Sequence, residues 1–340
     1  MSNYNWPIVG HQKISKFLQK CLEQNRLAHA YIFSGQEHLG KSLMTEKFIA
    51  SILCADYHRV NNLEIKAVPC NQCAFCAQLA KGIHPDVYFL KREEDKKNIS
   101  VERVRKMKEF LCLTTFLNSY KIAVIDKAEE LSESAQNALL KILEEPTPKT
   151  ILILQTPDFN LLLPTIVSRC QLLRFYSVAN EEIYHHLIDL GERREQAKII
   201  TAIAHGKIGL AINYHKSPEI FTEYLENMKD LLAVFNLKLI DKIKIINNLL
   251  PASKNNLEPR AFLKEHLDNW QIILRDVLIM KNNLEDLVIN MQFKKELDKI
   301  NKKFSTQKII DLLADLNELK KYLNYNINPR LAAENLVINF

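Results

Sequence analysis

Two short stretches carry residue types spaced for chemistry. The first, Gly35-Gln-Glu-His-Leu-Gly40-Lys41-Ser42, satisfies the pattern G-x-x-x-x-G-K-[ST]. In such a loop backbone N–H groups surround nucleotide phosphates, the lysine adds a point charge and the serine hydroxyl a magnesium ligand. Glu37 and His38 stand where such loops carry small residues, and an acidic side chain there repels phosphate. The alternative is a loop that merely joins strand to helix and keeps its glycines for tight packing. The second stretch is Cys70-Asn-Gln-Cys73-Ala-Phe-Cys76, with Cys54 upstream and fifteen residues between. Four thiolates suit a closed tetrahedral zinc site, which has no open position for water and would staple an insertion rather than catalyse. An iron–sulfur run of the bacterial type needs a fourth cysteine where Ala80 stands. His58 or His84 could replace one thiolate, and plain packing of small thiols is a further alternative. Cys21 and Cys112 read as small apolar side chains on helix faces.

A phosphate loop must be placed between a strand and a helix, and the flanking pattern supplies both. Ile14, Phe17, Leu18, Cys21 and Leu22 trace one face of a helix between His11 and Asn25. Ala30 to Phe33 is a short apolar run that ends at the loop and reads as a buried strand. Beyond the loop Leu43, Met44, Phe48, Ile49, Ile52 and Leu53 return to helical spacing. Further strands are expected at Asp86 to Leu90, Lys121 to Asp126, Thr150 to Gln155 and Gln171 to Tyr176. Alternation of this kind implies a parallel sheet flanked by helices. Asp126 closes the third run and fits the acidic partner that orients magnesium beside a phosphate loop. Glu129 and Glu130 are expected to begin the next loop and to point elsewhere. From Asn180, a candidate N-cap, to Tyr214 the pattern is of short helices, and from Lys216 it is helical to the end.

At 340 residues the chain has room for two or three domains, and 47% hydrophobic content can build their cores. The formal charge of +6 is interspersed rather than gathered in a tail, which permits DNA contact without demanding it. No signal peptide and no apolar run of about 18 residues is found, so a cytoplasmic protein without membrane contact is expected. Seven cysteines in that compartment argue for thiols or metal ligands rather than disulfides.

Other residues carry a more specific signal. They are Arg26 to Gly35 ahead of the loop, Ser134-Ala-Gln-Asn-Ala-Leu-Leu-Lys-Ile-Leu-Glu-Glu-Pro146, Leu163-Pro-Thr-Ile-Val-Ser-Arg-Cys170 and Asn326 to Asn335. With the four-cysteine insertion they make the chain closely similar to the AAA+ clamp-loader family of bacterial DNA polymerase III, above all its delta-prime branch. The resemblance implies an AAA+ P-loop-like domain over 1–176 with a zinc module at about 54–76. A small helical lid over 177–215 and an all-α collar over 216–340 would follow. It also implies partners: tau/gamma motor subunits and delta in a hetero-pentamer that loads a sliding clamp on primed DNA. In this family Ser168 and Arg169 face the subunit boundary, and the arginine enters the neighbour's ATP site in trans to stabilise the transferring phosphoryl group. Its planar fork and permanent charge are what lysine lacks.

Two departures argue against hydrolysis by this chain itself. The resemblance places a water-polarising glutamate after Asp126, where Lys127 stands, and an arginine in the lid, where Gly209 stands. Thr156 could fill a phosphate-sensing position or simply cap its strand. Gly35, Gly40, Lys41, Ser42, Asp126 and Thr156 therefore outline a degenerate nucleotide site, with ATP and magnesium doubtful occupants. Glu144 and Glu145 end a helix at the negative pole of its dipole, which calls for a cation from a partner or for solvent. Two rivals remain open: an autonomous AAA+ ATPase of replication, and a zinc-dependent nucleic-acid binder. The second is weakened by the absence of Lys and Arg between Cys70 and Cys76.

Overall fold

Apolar runs bounded by turn residues pair into one five-stranded sheet in the computed structural model, which describes residues 4–55, 68–93, 96, 98–115, 119–249, 257–323, 325 and 327–340. The strands are β1 (Ala30–Ser34), β2 (Val87–Leu90), β3 (Lys121–Ile125), β4 (Thr150–Thr156) and β5 (Gln171–Arg174). Their order is β2-β3-β4-β1-β5 and every pairing is parallel. β1, β3 and β4 are buried at every position, as continuous apolar runs require when both faces of a sheet are covered. β2 and β5 form the edges and are shorter than their apolar runs, because Asp86 lies outside β2 and β5 stops at Arg174.

Side-chain alternation divides the sheet between two cores. Tyr31, Phe33, Ile122, Val124, Ile151 and Ile153 pack with Leu18 and Leu22 of α1 (Gln12–Glu23) and with Met44 and Phe48 of α2 (Lys41–Leu53). Ala30, Ile32, Ala123, Ile125, Leu152 and Leu154 face the other way. They meet Val104, Met107 and Leu111, and then Ala135, Leu139 and Leu143. Those residues belong to α4 (Val101–Cys112) and α5 (Glu133–Glu144); α3 (Ala74–Ala80) lies earlier, in the cysteine insertion. Each large apolar side chain so buried contributes about 1.5–3 kcal/mol. The result is an α/β module, a parallel sheet flanked by helices. Cys112 is exposed at the end of α4, not packed as an apolar side chain, whereas Cys21 is half-buried on α1.

The chain forms two compact units, Met1–Asp189 with Ala204–Leu210, and Leu190–Ile203 with Ala211–Phe340. The first also holds the four-residue helix α6 (Pro164–Val167) and α7 (Asn180–Asp189). Asn180 is the first residue of α7 rather than its cap: Ile183 N–H donates to the Ala179 carbonyl. The second unit is helical throughout its described residues. Its core gathers on the 25-residue helix Leu257–Lys281, where Trp270, Ile273, Leu274 and Val277 are fully buried. Among the described residues no helix is long and apolar enough to cross a membrane.

Candidate functional site

The carboxyl ends of β3, β4 and β1 are neighbours in the sheet, so the groups that follow them converge where open α/β sheets bind ligands. Gly35 N–H donates to the Thr156 carbonyl at 3.0 Å, tying the phosphate loop to β4. Gly40 caps α2 at φ 93°, a left-handed conformation that a side chain would strain. Gly35, Gly40, Lys41, Ser42, Asp126 and Thr156 are thus brought together as the sequence implied. All but Gly35 line a cavity of about 440 Å³.

The charges around that cavity are already committed. Lys41 Nζ donates to the Gly35 carbonyl and, at 2.7 Å, to the Gln36 carbonyl. Its burial pulls the ammonium below the usual lysine range. Lys127 Nζ reaches Glu37 Oε1 at 2.9 Å. This hydrogen bond holds the Glu37 carboxyl below its ordinary value and the Lys127 ammonium above. Ser42 Oγ donates to Gln155 Oε1 at 3.2 Å, and the Thr156 hydroxyl donates to the Asp158 carbonyl at 3.0 Å. Thr156 therefore braces the turn after its own strand. Glu37, Asp126 and Glu129 line the cavity against Lys41 and Lys127. Asp126 has a cation of its own, Lys91 Nζ at 3.9 Å from Oδ2.

Glu129 corrects the expectation from sequence. The residues after Lys127 form a 3-10 turn, Ala128–Glu130, that brings Glu129 back to the cavity, where burial raises its carboxyl against a hydrogen bond from Thr156, and Oε2 has no partner among the described residues. Glu130 does point elsewhere, pairing with Arg92 Nε at 2.9 Å. Apolar spacing alone does not reveal such a turn, although two adjacent glutamates just past a strand end were its available signal.

Gly209 packs directly against the phosphate loop. Its N–H donates to the His38 carbonyl at 2.8 Å, and a Cβ there would lie 2.9 Å from the same oxygen. The helix beginning at Ile208 thus meets the phosphate loop backbone to backbone at this glycine.

Arg169 stands on a different arrangement. Ser132 caps α5, its Oγ accepting from Ala135 N–H at 3.2 Å. In the first turns of that helix Gln136 is buried, and its Oε1 accepts from Leu163 N–H at 3.0 Å. This amide fixes the start of α6 and therefore the turn bearing Ser168 and Arg169. It is a positioning residue that periodicity conceals, since it occupies a core place on the helix. Pro164 begins α6, where its missing N–H costs nothing. Ser168 Oγ and Arg169 Nη1 both donate to the Thr165 carbonyl, at 3.1 and 3.0 Å. Arg169 Nη2 pairs with Glu144 Oε1 at 2.9 Å. The cation expected near the end of α5 is thus in the same chain.

Among the described residues Cys54, Cys70, Cys73 and Cys76 form one group whose sulfur atoms all lie within 4.8 Å of one another. Tetrahedral zinc at a Zn–S distance of about 2.3 Å needs sulfurs roughly 3.8 Å apart, so a small contraction closes the site. N–H groups of Cys70, Cys73 and Cys76 point at the sulfurs of Cys54, Cys70 and Cys73, at 3.4, 3.3 and 3.5 Å, and would stabilise thiolates. The donor set fits a soft metal. His84 is engaged elsewhere, its Nδ1 accepting from Asp86 N–H, and His58 lies outside the described residues.

Comparison with known proteins gives these features a family. A family model described as DNA polymerase III, delta subunit, matches residues 10–179, half of the 340-residue chain. DNA polymerase III subunit delta' of Bacillus subtilis (strain 168) is 27% identical over 327 residues, 96% of this chain and 94% of that protein. Subunit delta' of Pseudomonas aeruginosa is 39% identical over 143 residues, 42% of each chain. Subunit tau of Bacillus subtilis is 24% identical over 355 aligned positions, which take in 97% of this chain but 60% of tau. With one match across half its length and a delta' relative aligned over nearly all of it, this chain belongs to the DNA polymerase III delta-prime family of clamp-loader subunits.

Proposed function

We propose that this chain is a largely non-hydrolysing wall of a clamp-loader pentamer, and that Arg169, presented by the Ser168 turn, completes the ATP site of an adjacent tau/gamma motor subunit. Together with delta, the assembly would open a sliding clamp and set it on primed DNA. Zn2+ on Cys54, Cys70, Cys73 and Cys76 would hold the insertion in shape. The observation that carries the reading is the self-occupied phosphate loop: Lys41 is bonded to its own loop's carbonyls and Lys127 is paired with Glu37 in place of a water-polarising base. An arginine supplied in trans raises turnover by about 10³-fold or more. Arg169→Ala is expected to leave the chain folded and assembled while slowing ATP turnover at the adjoining motor site to that extent, read as a fall in the clamp-stimulated turnover of the assembly. Unchanged turnover rules the role out.

Glu129 favours a second reading, autonomous hydrolysis, because it returns a carboxylate to the cavity. Turnover by the isolated chain that both Glu129→Gln and Lys41→Ala abolish would establish that reading. The account above expects no turnover.

A further inference from the structure

Helix α5 touches the Arg169 turn at two places. Near its start Gln136 holds Leu163, and at its last residue Glu144 holds the guanidinium itself. A carboxylate at that end of a helix faces the partial negative charge of the unpaired carbonyls and is disfavoured there. Lys141 lies one turn back on the same helix and is the nearer cation in sequence. Glu144 nevertheless pairs with Arg169, 25 positions on. The guanidinium spends one N–H on Glu144 and one on the Thr165 carbonyl, which leaves three of its five donors for an incoming anion. Both side chains keep access to solvent, with 37% of Arg169 and 49% of Glu144 exposed.

We propose that Glu144 is a positioning residue for Arg169, a carboxylate that fixes the guanidinium before any neighbour arrives. The inference rests on the trans role of Arg169 given above and names the group that makes it effective. An arginine side chain free in solvent samples many rotamers and loses that freedom on docking. One held at two points has lost it beforehand, so the docked geometry is reached more often. Gln136 sets the backbone of the turn and Glu144 sets the side chain, both from one rigid helix.

The test uses the assembly of this chain with tau/gamma and delta, with clamp and primed DNA, and reads steady-state ATP turnover. Glu144→Gln keeps the shape and removes the charge. It is expected to lower kcat by about 2- to 5-fold, the most that a half-exposed ion pair can contribute to holding the guanidinium in place, with the KM for ATP unchanged. In an Arg169→Ala background the same substitution should add nothing, since the two act as one unit. Glu145→Gln relieves the same helix end without touching an ion pair and should leave turnover unaltered. Equal slowing by Glu144→Gln and Glu145→Gln would overturn the inference, because the effect would then belong to helix-end charge. Faster turnover in Glu144→Gln would overturn it as well, by showing that the carboxylate competes with phosphate for the arginine. Slowing by Arg169→Ala without slowing by Glu144→Gln removes Glu144 and leaves the trans role standing. No slowing by Arg169→Ala removes both.

Discussion

The phosphate loop and the Arg169 turn both carry cations within one compact unit, yet they dispose of them in opposite ways. At the loop, Lys41 is absorbed by two backbone carbonyls and Lys127 by Glu37, beside a cavity that Asp126 and Glu129 also line. At the turn, Arg169 is anchored through two N–H groups and retains three. A lysine is a point charge that one or two acceptors satisfy, whereas a guanidinium can be held and still bind. On the function proposed above, the same unit would keep the outline of a nucleotide site and offer a cation elsewhere.

That contrast can be probed by perturbation, beginning with the part that serves neither region. Removing metal with a strong chelator should have the largest effect, because structural zinc supplies about 10–16 kcal/mol of apparent binding energy in small zinc peptides. A large drop in Tm with release of one zinc per chain is expected, and atomic absorption that finds no zinc in purified protein would break the assignment. Gly209→Arg comes next. It forces a long side chain into the backbone contact with His38 and should cost about 1–3 kcal/mol in denaturant unfolding, as overpacking does, without creating ATPase activity.

Glu37→Gln bears on the loop's charge balance. Losing one carboxylate and freeing Lys127 should tighten binding of a non-hydrolysable ATP analogue by roughly tenfold, about 1–2 kcal/mol at protein-surface dielectric. Calorimetry that finds no change would show that charge is not what empties the loop. The smallest effect is on stability against pH. Glu37 is depressed by its hydrogen bond with Lys127, so the pair's contribution is present above the ordinary carboxylate value and is lost as pH falls through the depressed one. Lys127 is raised, so the contribution is complete below the ordinary lysine value and fades as pH climbs through the raised one. Both side chains are more than half exposed, which limits the gain to about 1 kcal/mol or less. Glu37→Gln should flatten the acid limb by that amount.

Much of this was legible in the sequence, and the omissions share a cause. The central strands announce themselves as unbroken apolar runs, because a strand covered on both faces has no polar side to show. The phosphate loop, the cysteine group and α5, with its start at Glu133 and its end before Pro146, follow from spacing and end signals. Edge strands were overrun at Asp86 and Tyr176, where an apolar run outlasts the hydrogen-bonded ladder. Glu129, Gln136 and the Glu144–Arg169 pair were missed or misassigned because each depends on where the chain turns back. Local periodicity does not encode that a 3-10 turn returns Glu129 to the cavity. Nor does it say that residue 169 comes to lie beside residue 144.

The most direct measurement sets the two regions against each other in the reconstituted assembly, with clamp-stimulated ATP turnover recorded for Lys41→Ala and Arg169→Ala versions of this chain. The account predicts that the lysine substitution leaves turnover as it was and that the arginine substitution lowers it, by about 10³-fold at the adjoining motor site. Loss of turnover with Lys41→Ala and full turnover with Arg169→Ala would mean that this chain burns its own nucleotide, and would contradict the account.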